Sequence, residues 1–321
     1  MSERIMIVDQ LNMFFRAYIV DPSISSNGQP IGGLKGSLKI LQKLCREVKP
    51  DKVFICWDGP GGSAKRKLIK KDYKDGRKPI RLNREIKNLS DGEELENKIW
   101  QQTRLVDYFN YLPICQFMFP GVEADDVIAY VTKLKKYKDC EKVIVSSDKD
   151  FFQLLDDKTV LFRPVQKEVM NKLGLIEKFD IHPNNFAIAR AIAGDKSDNL
   201  GGVPGLGLKT VSKRFPFLRE ERSYNIKDIL GYCKESAPES SVKAYDRVLE
   251  YNDVLNRNYK MMQLYSPMID VDSKKVVRQT VEGASLDFNK TQIKKMMIED
   301  GMGEYNWFEL FSTMNRISST K

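Results

Sequence analysis

Short β-branched runs that stop at an aspartate constrain this chain more than any other feature. RIMIV leads into Asp9, KVFICW into Asp58 and KVIVSS into Asp148, with Asp150 two residues on. Strands are expected at 4–8, 52–57, 114–119, 142–146 and 159–162, with helical patterns between them at about 33–47, 93–111 and 123–136. Such alternation predicts a parallel central sheet with helices over both faces. Ligands of open sheets of this kind bind outside the carboxyl ends of the strands. Three strands would therefore each deliver a carboxylate to one edge. Beyond about residue 165 the strand signals fade and the chain reads as mostly helical, with no internal repeat and no low-complexity linker.

Two further acidic clusters join these. GVEADDVIAY places Glu123, Asp125 and Asp126 at the start of a helix, and AIAGDKSDNLGG sets Asp195 and Asp198 three apart. Acids at a helix N-terminus are common for the dipole alone, and an Asp after a strand is often a turn residue. The coincidence of three strand ends with two clusters is what points to chemistry. Like charges about 4 Å apart cost on the order of 4 kcal/mol per pair at a surface-like dielectric. Such a gathering calls for cations or for protonation of some of its members. All-oxygen ligands suit hard ions, Mg²⁺ or Mn²⁺, and two ions about 4 Å apart can clamp a phosphodiester from both sides.

Composition removes other chemistries. The one histidine, His182, precedes Pro183 and reads as a turn before a helix, so Ser-His-Asp and multi-histidine metal sites are set aside. Five cysteines, Cys45, Cys56, Cys115, Cys140 and Cys233, are far apart and unpaired in spacing, which argues for buried reduced thiols over a disulfide framework or a zinc cluster. No apolar run approaches the roughly 20 residues that span a bilayer. The opening MSERIMIVDQ lacks the pattern of a secretory signal, so a cytoplasmic protein is expected, with no membrane partner.

Net charge is +9, from 53 basic and 44 acidic residues. Its distribution says more than its size. Basic residues crowd into KRKLIKKDYKDGRKPIRLNREIK at 65–87, where few acids balance them. Further on, GVPGLGLKT puts Gly205 and Gly207 before a helix, so that backbone N–H groups can approach a phosphate, with Lys209 and Thr210 adding a charge and a hydroxyl.

The runs MIVDQLNMFFRAY, FICWDGPGG, DYKDGRKP, GVEADDVIAY, SSDKDFFQLL and GDKSDNLGGVPGLGLKT, in this order over residues 4–215, resemble the 5′-nuclease family. That family includes flap endonucleases, the 5′-nuclease domain of bacterial DNA polymerase I and phage 5′→3′ exonucleases. The size and the helical tail look most like a phage replication nuclease of the T-even RNase H kind. The resemblance implies a PIN-like nuclease core at 1–180, carrying a helical arch or clamp at 60–98 over the active site. A duplex-binding region of the helix-hairpin-helix type would follow at 181–260, and a helical extension packed on the core at 261–321.

By the same resemblance, Asp58, Glu123, Asp125, Asp126 and Asp148 hold a first metal ion, with Asp9 close by and acting through water. Asp148, Asp150, Asp195 and Asp198 hold a second. Lys74 and Arg77 match the basic residues that reach the scissile phosphate, where such charges stabilise a transition state. Arg66, Lys67, Lys70 and Lys71 are read as DNA contacts in the arch. Asn12, Phe15 and Arg16 fit the family's pattern, and Phe14 or Phe15 could stack on a terminal base pair. The hairpin is expected to hold K⁺ through backbone carbonyls. Gln10 departs from the glycine the family carries after its first Asp.

The expected function is Mg²⁺-dependent hydrolysis near 5′ ends, as 5′→3′ exonuclease and flap endonuclease, including removal of RNA from RNA–DNA hybrid. The expected chain is a monomer with DNA as substrate and a single-stranded-DNA-binding protein as partner. The alternatives are a DNA-structure-binding protein without catalysis and a PIN-type ribonuclease. Gln102, Leu105, Tyr108 and Phe109 have the spacing of a sliding-clamp-binding peptide, but a mid-chain helix predicts core packing for them.

Overall fold

The computed structural model describes residues 2–238, 243–283 and 288–318. Positions 284–287 and 319–321 of the expected C-terminal extension lie outside them. Six strands form one sheet in the order β3-β2-β1-β4-β5-β6. They are β1 (Arg4–Asp9), β2 (Lys52–Cys56), β3 (Cys115–Phe117), β4 (Glu141–Val145), β5 (Thr159–Arg163) and β6 (Glu168–Met170). The first five pair in parallel. β6, which the sequence pattern did not suggest, turns back antiparallel on β5 at the edge.

β1 lies at the centre, and its residues alternate between two cores. Ile5 and Ile7 face one cluster and Met6 and Val8 the other, all fully buried, as the two-residue period of a strand dictates. A strand covered on both faces is nearly all apolar, which is why RIMIV was readable.

Helices α1 (Gln10–Val20), α2 (Gly32–Val48), α3 (Ala64–Ile69), α4 (Asp91–Asn110) and α5 (Ala124–Thr132) belong to the first half of the chain. Segment 60–98 was expected to be a helical arch. It holds only α3 and the first residues of α4, and otherwise runs as turns and extended chain. α4 starts sharply because Ser90 and Glu93 form a reciprocal capping box. On it Leu105, Tyr108 and Phe109 are fully buried, in keeping with core packing.

The second half is helical: α6 (Lys172–Phe179), α7 (Pro183–Ala193), α8 (Leu208–Arg214), α9 (Ile226–Ser236), α10 (Ala244–Glu250), α11 (Asn252–Met262), α12 (Val271–Gly283), α13 (Lys290–Glu299) and α14 (Trp307–Ser318). His182 caps α7, its Nδ1 accepting from the Asn184 N–H at 3.2 Å, with Pro183 at the first helical position. Among the described residues no helix is long and apolar enough to cross a membrane. All five cysteines are buried and unbridged.

The last two helices close the core on the α2–α4 side. Arg104 and Tyr108 of α4 both bond Asp300, and Leu310, Met314 and Ile317 of α14 are buried in the cluster that contains Leu38 and Leu41 of α2. Phe308, on the same helix, is 84% exposed. Leu310→Ala should therefore lower unfolding free energy by about 2–5 kcal/mol. Phe308→Ala should change it by less than about 0.5 kcal/mol. Urea titrations of the two variants check the contrast, and equal losses would show that α14 does not seal the core.

Candidate active site

Parallel pairing brings the strand ends together. Asp9 closes β1 opposite Cys56, Asp58 follows β2 by two residues, and Asp148 follows β4 by three. The strand order reverses between β1 and β4, the crevice where open sheets bind ligands. Asp9 sits at that point. Its Oδ1 accepts from the Asn12 N–H at 3.2 Å, capping α1, and its Oδ2 accepts from the Ser146 hydroxyl at 2.8 Å. Asn12 in turn accepts from the Ser147 N–H across the same crevice at 3.1 Å.

Asp58 accepts from the Ala124 N–H at 2.7 Å and so caps α5, the helix that carries Asp125. Gly59 makes this possible: a Cβ there would stand 1.7 Å from the Phe119 carbonyl oxygen. Asp148 accepts from the Asp150 N–H at 2.8 Å, within a tight turn that aims both carboxylates into the same space. Asp195 and Asp198 come from a short hairpin and turn after α7.

Electrostatics tie the set together. Burial, then the neighbouring charge of Asp58, pushes Asp9 up to about 7. Burial and Asp148 push Asp150 up to about 7, although Arg190 opposes them. Burial, Asp148 and Asp9 hold Asp125 well above the usual carboxylate range. For Asp195 burial also works upward, but the Arg190 charge and the Ser197 hydrogen bonds outweigh it and hold the group low.

Cationic side chains relieve part of this repulsion. Lys74 donates to Glu123 Oε1 at 2.9 Å. Arg77 pairs with Asp198 and donates to the Ser197 carbonyl at 3.1 Å. Arg190 lies between Asp150, at 3.0 Å, and Asp195. The Tyr73 hydroxyl, buried, lies 3.4 Å from Glu123 and 3.2 Å from Asp198.

Lys74 and Arg77 belong to a strap, residues 70–83, laid across the carboxylates. One end is held by Lys74 N–H on the Asp198 carbonyl and by Asn199 on the Asp72 carbonyl. The other is held by Asn83 on the last carbonyls of α1.

Two of the expected site residues pair with each other. Asp126, read as a metal ligand, has both its oxygens on other partners. Oδ2 pairs with Arg66 Nη1 at 2.7 Å, and Oδ1 accepts from Arg66 Nη2 at 3.3 Å and from the Met268 N–H at 2.8 Å. Arg66 was read as a DNA contact, but it is 4% exposed and points inward. A buried arginine is held by its partners and does not reach for solvent.

The other arch residues stay near the surface. Lys67 pairs with Asp75, Lys70 with Asp72, and Lys71 is exposed. Phe15 is half-buried with its ring edge against Phe14, which is fully buried in the core. Arg16 has a buried Nη1 without a partner. Gln10 is fully buried, and neither of its amide atoms has a partner. Gly205 sits at φ +79°, where glycine is favoured, and Gly205, Gly207 and Lys209 are exposed at the turn into α8. Thr210 is half-exposed, and Arg247 donates to the Pro204 carbonyl at 3.0 Å.

Sequence reasoning missed Arg190, Tyr73 and Ser146. The first had a signal: a lone cation inside the apolar run AIARAIA needs a buried partner.

As they stand, no three His, Cys, Asp or Glu side chains among the described residues converge to hold an ion. The donor chemistry nevertheless fits hard divalent cations. It is carboxylate only, and burial with mutual repulsion leaves Asp9, Asp125 and Asp150 short of compensating charge.

Residues 4–180 match the family model described as the 5′-3′ exonuclease N-terminal resolvase-like domain. The 5′-3′ exonuclease of Aquifex aeolicus is 31% identical over 207 residues, covering 64% of this chain and 66% of that protein. The 5′-3′ exonuclease of Buchnera aphidicola is 30% identical over 295 residues, 91% of this chain and 93% of that one. The match to Thermus aquaticus DNA polymerase I spans only 23% of that protein's length. A bacteriophage T5 flap endonuclease, solved with DNA and metal ions, shares the fold at a TM-score of 0.66 and 19% identity, covering 98% of this chain and 100% of that one.

The raised carboxyls make a pH prediction. Folded, Asp9 and Asp150 hold protons up to about pH 7. Unfolded, they release them near pH 4. Between those limits the folded state binds more protons, so this pair's contribution to stability is greatest below about pH 4 and falls as pH rises to about 7. Added Mg²⁺ should expel those protons. Titration calorimetry in two buffers of different ionisation enthalpy should read release of about two protons from this pair at pH 6 and almost none from it at pH 9. Equal release at both would remove the carboxyls as its source.

Proposed function

Because the chain belongs to the 5′-3′ exonuclease family, we propose that it is a structure-specific 5′-nuclease. It hydrolyses phosphodiesters near 5′ ends and at flap junctions, in replication or repair. One observation carries this reading: three strand ends bring carboxylates to the switch point of the sheet, and a strap sets Lys74 and Arg77 on the neighbouring acids Glu123 and Asp198.

The proposed ligand sets are Asp58, Glu123, Asp125 and Asp148 for one ion, with Asp9 beside them, and Asp148, Asp150, Asp195 and Asp198 for the other. Bound Mg²⁺, or Mn²⁺ in its place, would supply an activated water and neutralise charge on the phosphate. The chain's own residues do the rest. Lys74 and Arg77 are partly exposed, with side-chain exposures of 22% and 48%, so both can leave Glu123 and Asp198 for a phosphate. There they would stabilise the charge that develops on it.

The exposed turn at Gly205, Gly207 and Lys209 would take backbone phosphates of the duplex, so binding follows shape and salt and not base sequence. RNA–DNA hybrid is proposed as a second substrate. A single-stranded-DNA-binding protein is the partner class proposed for the surface that exposes Ile298 and Phe308.

With a 5′-labelled flap duplex, cleavage near the junction should require Mg²⁺ and leave 5′-phosphate ends. Asp148→Asn should lower kcat by about 10³-fold or more with binding kept, and Lys74→Ala by about 10²–10³-fold. Tight binding without cleavage of flap, nicked duplex or hybrid would favour a DNA-structure-binding protein. Cleavage of single-stranded RNA alone would favour a PIN-type ribonuclease.

Salt dependence checks the hairpin separately. Lys209→Ala should reduce the slope of log K against log salt by about 1. An unchanged slope would remove Lys209 from the interface.

A further inference from the structure

Glu123, Asp126 and Arg66 form a buried triad, with side chains 2%, 1% and 4% exposed. Each of the three Arg66 nitrogens has a partner. Nε donates to the Met261 carbonyl at 2.9 Å, Nη2 lies 3.3 Å from Asp126 Oδ1, and Nη1 lies 2.7 Å from Asp126 Oδ2 and 3.1 Å from Glu123 Oε2. Asp126 is fixed in turn by the Met268 N–H. Three parts of the chain therefore meet here: α3 at the foot of the strap, α5 with its acidic first turn, and the stretch at 261–268 that begins in the last turn of α11.

The two oxygens of Glu123 are held differently. Oε1 is on Lys74, which is partly exposed and sits on the strap; Oε2 is on Arg66, which is buried and cannot leave. Charge balances locally, with two carboxylates facing one guanidinium and one ammonium. When Lys74 departs for a phosphate, one oxygen of Glu123 is freed while the other stays fixed in orientation.

We propose that Arg66 is a positioning residue, and that Asp126 acts through it. The pair orients Glu123 for a divalent cation and anchors the foot of the strap to α5, while neither group touches the ion or the DNA. A planar guanidinium gripped by a carboxylate sets direction as well as charge, which a lysine ammonium does not. Residues that orient a metal ligand usually change metal affinity by 10- to 100-fold when removed. This inference rests on the metal-nuclease reading above, so its test has a readout that does not depend on cleavage.

Mn²⁺ binding to the DNA-free protein is measured by calorimetry for the unaltered chain and for Asp126→Asn, Arg66→Lys, the double variant and Asp125→Asn. Cleavage is then followed across a Mn²⁺ titration. Asp126→Asn and Arg66→Lys should each weaken Mn²⁺ binding about tenfold. The double variant should be no weaker than either single one, because the two act as a unit. Saturating Mn²⁺ should return kcat to within a few-fold, whereas Asp125→Asn should not recover.

Unchanged affinity in both single variants would overturn the proposal. So would an unrecoverable loss in Asp126→Asn equal to that of Asp125→Asn, which would make Asp126 a ligand. Should Asp126→Asn not fold, Arg66→Lys, which keeps the charge, carries the same comparison. Were the unaltered protein to bind Mn²⁺ and cleave nothing, the nuclease reading would fall while the affinity ratios still decide this one.

Discussion

Repulsion among carboxylates at one sheet edge is the constraint around which the rest of this molecule is arranged. The parallel sheet delivers Asp9, Asp58 and Asp148 to a common edge, and the loops that follow add Asp125, Asp150, Asp195 and Asp198. A protein cannot leave that much like charge uncompensated in a crevice. Here the compensation takes two forms. Asp9 and Asp150 hold their protons up to about pH 7, and Lys74, Arg77 and Arg190 pair with Glu123, Asp198, Asp150 and Asp195.

The division of labour among the cations follows from burial. Arg66 and Arg190 are enclosed and serve as permanent partners, whereas Lys74 and Arg77 sit on a strap that reaches solvent. Permanent partners keep the carboxylates oriented. Lys74 and Arg77, by contrast, pair with Glu123 and Asp198 from a position that solvent reaches.

Much of this was legible in the sequence, for reasons that can be named. The strands at the centre of the sheet are buried on both faces, so RIMIV and KVIV stand out as unbroken apolar runs, and the amphipathic helices over them keep their period. β6 escaped notice because EVM is three residues long and half-exposed on an edge. The carboxylates were readable because their positions at strand ends have geometric meaning in a parallel sheet.

The cations were harder. KRKLIKK gives no sign that Arg66 alone turns inward, since a charge pattern does not distinguish a solvated cation from one that a distant acid has captured. Asp126 was hard to place for the matching reason: EADD shows three acids within four residues, and only the fold pairs the last of them with Arg66. Tyr73 and Ser146 act through single hydroxyls, which composition and period do not register.

Lys74 adopts φ +61°, a left-handed backbone that costs a residue with a side chain on the order of 1 kcal/mol. The turn at this point of the strap is thus one the lysine would not choose for itself. It is kept there by its N–H on the Asp198 carbonyl and its ammonium on Glu123. The strap thus owes its course to what it grips and not to the preference of its own backbone, which ties its position to the carboxylates it crosses.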